Sequence, residues 1–286
     1  MPSPDAPTYR APTQDKPATA VSSAAQSTDN DTLVGAPEEI SPTALPAGTP
    51  LPTYATRLPP PATLQYTVQR GGAALTPAAT AVRGGLQAQL IWRPDTAAAT
   101  YTLSLGLGAS LGQVGSASVG ALDLHGIAPE RHVETRRGRE VRAANFQRPS
   151  MGASEGAGRI SFSGPRIEHP LLPGVQDRLS WMLQLPGVLA ADPALGQPGS
   201  ELTLLVVGVR GDAALWTFRV VAAQTLQLPA GEVLNAVHLR RDTQRPYDTR
   251  VDVWLDPARH HLPVRLRLQY RADGPSTEFE LLRLTF

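Results

Sequence analysis

The sequence predicts an all-β protein, mainly antiparallel. The expected form is a barrel or half-open barrel of meandering hairpins with one short helix, and a two-sheet sandwich is the alternative. Three observations lead there. Beyond residue 62, most apolar stretches alternate with polar residues at period two. The turns between them are short and built from Pro, Gly, Asp and Arg, too short to hold crossover helices. Helical spacing appears in one stretch, Gln176 to Leu185.

In chain order, residues 1–61 hold nearly half of the 28 prolines, with many Ala, Ser and Thr and no periodic apolar run. Such a segment cannot bury enough surface to offset its ordering entropy, so it is expected to be a disordered tether. Residues 62–286 then form a single antiparallel β domain, long enough for one core. Leu64 to Val68 is its first strand. Leu86 to Trp92 and Tyr101 to Leu107 form a hairpin, and Val119 to Leu124 is a further short strand. Arms near Arg131–Thr135 and Glu140–Phe146 flank a turn at Arg137-Gly138-Arg139, and Arg159 to Ser163 follows. The expected helix runs from Gln176 to Leu185, with Asp177 near its start to suit the dipole and Pro186-Gly187 to stop it. Glu201 to Val209 pairs with Ala214 to Leu226.

The clearest signal is the last stretch, Leu226 to Phe286, read as four strands. Val233, Asn235, Val237 and Leu239 share one face, opposite His238 and Arg240. Val251, Val253 and Leu255 oppose Asp252 and Trp254, while Leu262, Val264, Leu266 and Leu268 alternate with Arg265 and Arg267. One apolar and one polar face per strand marks a sheet packed on one side. The whole chain amounts to roughly eleven to thirteen strands.

Composition removes several functions. A net charge of +1 creates no global field to recruit nucleic acid or an anionic membrane, and 5% aromatic residues is poor material for a base-stacking platform. Without cysteine there are no disulfides, thiolate metal sites or cysteine nucleophiles. No apolar run reaches the length of a membrane span. The N-terminus has no charged-then-apolar signal segment, so any anchor is expected upstream of Met1. Lys16 is the one lysine, a bias that codon usage explains better than anion binding.

Few motifs carry chemistry. Ser110 and Ser154 each sit in a literal G-x-S-x-G, but neither match leads into the helix that a nucleophile elbow requires. Gly106 to Gly112 lacks the βαβ setting of a dinucleotide loop, so no cofactor is expected. Adjacent His260 and His261 would point to opposite faces of a strand and suit a metal poorly. Arginines gather at Arg136, Arg137, Arg139 and Arg142, and again at Arg240, Arg241, Arg245 and Arg250. Both groups straddle hairpin tips and could dock an anionic partner. Trp92, Trp181, Trp216 and Trp254 fit core positions.

Five short motifs in order resemble a bacterial family known as domain of unknown function 3108. They are Ile127-Ala128-Pro129-Glu130-Arg131 with Gly158 to Ser163, Pro173 to Ser180, Leu228 to Gly231, Tyr247 to Pro257 around Trp254, and Leu262-Pro263-Val264-Arg265. The resemblance covers most of residues 62–286. It implies an envelope protein, periplasmic or anchored in the inner membrane and facing the periplasm, and it brings no activity. It singles out Gln176, Asp177, Arg178, Trp181, Trp254 and Arg265 as candidate ligand or motif positions. The resulting expectation is a non-enzymatic envelope domain that binds an apolar or lipid-like molecule. A scaffold docking an envelope protein through strand edges or arginine tips is the rival. An enzyme would have to draw on Asp177, Asp252 or His261.

Overall fold

The computed structural model describes residues 51–71, 86–108, 113–149, 158–243, 248–269 and 274–286. Both G-x-S-x-G serines, Ser110 and Ser154, lie outside them, as do Arg245 and residues 1–50 of the expected tether. Fifteen strands form one sheet: β1 (Ala62–Gly71), β2 (Leu86–Asp95), β3 (Thr100–Gly108), β4 (Val114–Asp123), β5 (Gly126–Arg136), β6 (Arg139–Gln147), β7 (Arg159–Phe162), β8 (Glu168–Pro170), β9 (Gln176–Asp177), β10 (Glu201–Val207), β11 (Ala213–Leu228), β12 (Gly231–Arg241), β13 (Arg250–Asp256), β14 (Leu262–Gln269) and β15 (Ser276–Thr285). Their order across the sheet is β8-β7-β6-β5-β4-β3-β2-β1-β15-β14-β13-β12-β11-β10-β9. Nearly every neighbour is therefore a hairpin partner, and the first and last strands meet in the middle as β1 and β15. The single sheet sets aside the sandwich alternative.

This order forces curvature. Fourteen inter-strand steps of about 4.8 Å would hold the edges of a flat sheet roughly 65 Å apart. Yet β8 and β9 are the two edges and follow each other in sequence, Pro170 to Gln176. Chain of that length spans at most about 20 Å. The sheet must curl until its edges nearly meet, which makes a half-open barrel.

Inside lies the helix α1 (Trp181–Ala191), the crossover between the parallel neighbours β9 and β10. Every residue from Trp181 to Leu189 is buried and all but Gln184 are apolar, so the helix is covered on every side and lies in the interior. It starts later than Gln176 and runs straight through Pro186-Gly187, where the sequence predicted its end. Gln176 and Asp177 are instead paired with Val206 and Val207. An interior proline costs a helix about 3 kcal/mol. Burial on all sides, with Leu64, Leu90, Trp92, Phe218 and Leu239 packed in the same core, outweighs that cost.

Other differences from the sequence reading have similar physical causes. β4 starts at Val114, inside a Gly/Ser run, where close packing suits residues without a side chain: a Cβ on Gly115 would fall 2.6 Å from Thr135 Oγ1, and one on Gly120 would fall 2.3 Å from the Ala128 carbonyl oxygen at a β-bulge. Asn235, at φ 55°, breaks the alternation expected from Val233 to Leu239. His260 and His261 are not strand residues; both are left-handed (φ 54° and 55°) in the turn after a short 3-10 segment, Pro257–Arg259. β8 and β9 bring the strand count above the thirteen expected. The hairpin of β11 and β12 bends back so that the Ala230 amide donates to the Leu281 carbonyl, closing over β15.

Residues 51–60 form no strand, yet they lie against this domain, so packing begins upstream of the boundary that composition suggests. The Arg57 amide donates to Gly187 O at 2.9 Å, and its guanidinium donates to Ala190 O. Trp92 Nε1 donates to Pro59 O at 2.9 Å, and the Thr203 amide donates to the Tyr54 hydroxyl. Leu58 packs on the main core, Leu51 on a second apolar cluster. Gly187 marks the crossing: a Cβ there would come within 2.8 Å of a Leu58 methyl.

Candidate functional site at the barrel seam

The gap between the two edges is where chemistry collects. Three kinds of contact close it. The first is apolar: Ala144, Phe146 and Ile160 from β6 and β7 pack with Val175, Leu205, Val207, Val209 and Ala213 from the other edge. The second is a polar bridge at the rim, where His169 Nε2 on β8 lies 2.8 Å from the Gly211 carbonyl oxygen.

The third is a buried polar network built on the turn between β9 and α1. Asp177 is fully buried. Its Oδ1 accepts from the amides of Leu179 and Ser180, both at 2.7 Å, and its Oδ2 accepts from the Ser118 hydroxyl on β4. Ser118 is in turn 2.7 Å from the Tyr101 hydroxyl on β3. Burial, and after it the Asp177 charge, pushes the Tyr101 phenol well above its usual range, so it stays a neutral hydrogen-bonding group. Gln176 donates to Ile127 O at 2.8 Å, and Gln184 of α1 both donates to His125 O and accepts from the Ile127 amide. Side chains thus do for β5 and β9 what a ladder does elsewhere.

Arg178 pairs with Asp212 in the turn between β10 and β11. Burial would raise the Asp212 carboxyl, but the guanidinium holds it below the usual range. The same guanidinium lies 4.8 Å from the Trp216 ring, and Arg241 approaches that ring at 4.4 Å. Next to them, β5 turns His132 and Glu134 inward, opposite Ser118 and Ser116. His132 Nε2 sits 2.8 Å from Ser116 Oγ, and burial pushes its imidazole down, keeping it neutral. Its Nδ1 and the Gln176 Oε1 are buried without a partner. Burial raises Glu134 to about 7, against the pull of Arg210 and Arg142.

The structure therefore divides the residues singled out by sequence. Gln176, Asp177, Arg178 and Trp181 come together at the seam and below it, with Trp181 stacked on Phe218 at 5.3 Å. Trp254 and Arg265 stand apart, on the outward face of β13 and β14. Trp254 stacks on His238 at 4.3 Å, receives Arg265 at 5.0 Å, and donates through Nε1 to Gln224. Asp252 faces the same way, held below its usual range by His238 and Arg240 although burial alone would raise it. His261 lies beyond both groups, in its left-handed turn. Ser116, Ser118, His132 and Glu134 were not read as site residues, and His132, expected at the surface or in a turn, is buried; their one signal was polar residues at period two on the face that faces inward.

The family described as "Protein of unknown function (DUF3108)" matches residues 85–280, most of the chain. The chain belongs to that family. The DUF3108 match spans β2 to β14 and the first half of β15, so it contains both the seam and the Trp254 row. Among solved structures, the chain is similar to the crystal structure of a beta-barrel-like protein of domain of unknown function DUF1849 from Brucella abortus. The two share 16% identity at a TM-score of 0.48, over 81% of this chain and 99% of that one. No curated protein matches. Among the described residues, no helix is long and apolar enough to cross a membrane, and no group of three or more His, Cys, Asp and Glu is placed to hold a metal ion.

Proposed function

We propose that this protein is a non-enzymatic module of the cell envelope, a half-barrel on a proline-rich tether that works by docking a partner protein. The observation that carries the reading is a filled interior: α1, buried all round, occupies the space a carrier would leave for cargo. Polar groups at the seam support the non-enzymatic part, since the Asp177 carboxylate already accepts three hydrogen bonds from the fold itself. Docking falls to the outside. The edges are poor templates, with β8 three residues long and ending in proline and β9 only two. The tip of the β5–β6 hairpin suits the task better: residues 136–142 are exposed on both arms and include Arg136, Arg137, Arg139 and Arg142. An acidic protein surface is the partner such a tip fits. The tether composition and the family resemblance support the periplasmic placement.

The test is a crosslinking pull-down from envelope extracts with wild type and the Arg137→Ser/Arg139→Ser/Arg142→Ser variant. A partner captured by wild type and lost from the variant is expected. Equal capture by both would sink the docking reading.

A second reading, an apolar or lipid-like ligand, has its own support. Neither α1 nor the segment 51–60 belongs to the sheet, so both could move without breaking a ladder. Native mass spectrometry of detergent-free protein should then show a bound lipid, and a mass equal to the bare chain would count against it.

A further inference from the structure

Residues 51–60 meet α1 at its weakest point. Pro186 removes an intrahelical donor and Gly187 is a poor helix former, so the turn from Pro186 to Ala191 has little intrinsic reason to be helical. That is where the upstream segment attaches. The Arg57 amide binds Gly187 O, the Arg57 guanidinium binds Ala190 O, and Leu58 occupies the space that a side chain at position 187 would need. Tyr54 and Pro59 fix the segment on either side, to β10 and to Trp92. Beneath it lies the main apolar core, including Leu183, Val188, Leu189, Trp92 and Leu202.

We infer that residues 51–60 are a releasable clamp: when they lift, the Pro186–Ala191 half of α1 uncoils and opens the interior to an apolar chain. The inference rests on the second reading above and gives it a place and a mechanism. The clamp is continuous with residue 50 and the tether before it, so a pull or a binding event on the tether would act directly on the plug. The polar hooks at the other end of α1, through Gln184 and the Asp177 turn, would keep the first half of the helix in place while the second half gives way.

The experiment uses the full chain with Arg57→Ala/Leu58→Ser. Hydrogen exchange at the amides of 187–191 should rise at least tenfold while exchange in β13 and β14 stays unchanged. The same variant should bind cis-parinaric acid at least tenfold more tightly than wild type. Unchanged exchange at 187–191 overturns the clamp. Faster exchange with no binding at saturating probe leaves the clamp standing and overturns the apolar port, and with it the ligand reading. Should the double variant not fold, Gly187→Ala attacks the same contact from the helix side. Its added methyl should push Leu58 away and speed tryptic cleavage after Arg57 severalfold; cleavage at the wild-type rate would again overturn the clamp.

Discussion

The seam and the wall formed by β12, β13, β14, β15 and β1 solve the same problem in opposite ways. In the wall, every strand is joined to the next by a backbone ladder. Its inward row runs Leu239, Val253, Leu266, Phe279, Val68, all apolar. Its outward row runs Arg240, Asp252, Arg267, Glu278, Gln69, so that cations and carboxylates alternate across the sheet. At the seam no ladder joins β5 to β9, and a handful of buried side-chain bonds from Asp177, Gln176 and Gln184 does the joining. Many partly exposed contacts share the load in the wall, and each is worth little. Few contacts carry it at the seam, in a low-dielectric setting where every unmade bond is expensive.

That contrast can be broken most directly at Asp177. Asp177→Ala leaves the Ser118 hydroxyl and two amides buried without their acceptor, at roughly 1–3 kcal/mol each. A loss of about 3–5 kcal/mol in urea unfolding is expected, and a loss below 1 would mean that the seam is not held there. Next in size is Glu134→Gln. Burial raises the Glu134 carboxyl to about 7 from its ordinary 4.5. The folded state therefore holds its proton more tightly, and the stability from this group is complete below about pH 4.5 and lost as pH rises through 7. The variant should be more stable than wild type by about 2 kcal/mol at pH 8 and lose that advantage near pH 4, as read from melting temperatures across pH. Tyr66→Phe, in the wall, removes the hydroxyl that donates to Pro263 O at 2.7 Å, with an expected cost of about 1 kcal/mol. Smallest should be Glu278→Gln, which trims the ion pairs with Arg265 and Arg267 on the outward row. A change of under 1 kcal/mol, weakened further by salt, is expected. If Glu278→Gln proved as costly as Asp177→Ala, the contrast between seam and wall would fail.

The wall was the legible part of the sequence because one face is apolar and the other charged, so period two shows without ambiguity. Val251, Val253 and Leu255 against Asp252 and Trp254 is read correctly from residues alone, and the structure puts Trp254 on the face opposite Val253, buried against His238. The seam was illegible for the matching reason. β5 mixes His132 and Glu134 into its inward face, and β8 and β9 are too short to express any period. Gln176-Asp177 looked like a helix start because the apolar residues after it have helical spacing, and the pairing with β10 that makes it a strand is thirty residues away. The continuation of α1 past Pro186-Gly187 depends on its surroundings, including residues 51–60, and no local pattern announces that.

The meeting of β1 with β15 also sets a clock on folding. Val68 pairs with Phe279, so the joint at the centre of the sheet closes across almost the whole domain. As the chain leaves the ribosome, β1 to β8 and β10 to β14 can zip as local hairpins, since each waits only for its neighbour. They remain two unconnected sheets, each with an apolar face and a bare edge, until Ser276–Thr285 arrives and slots between them. The last eleven residues are therefore the keystone of assembly, and a nascent or truncated chain without them is the form most exposed to aggregation.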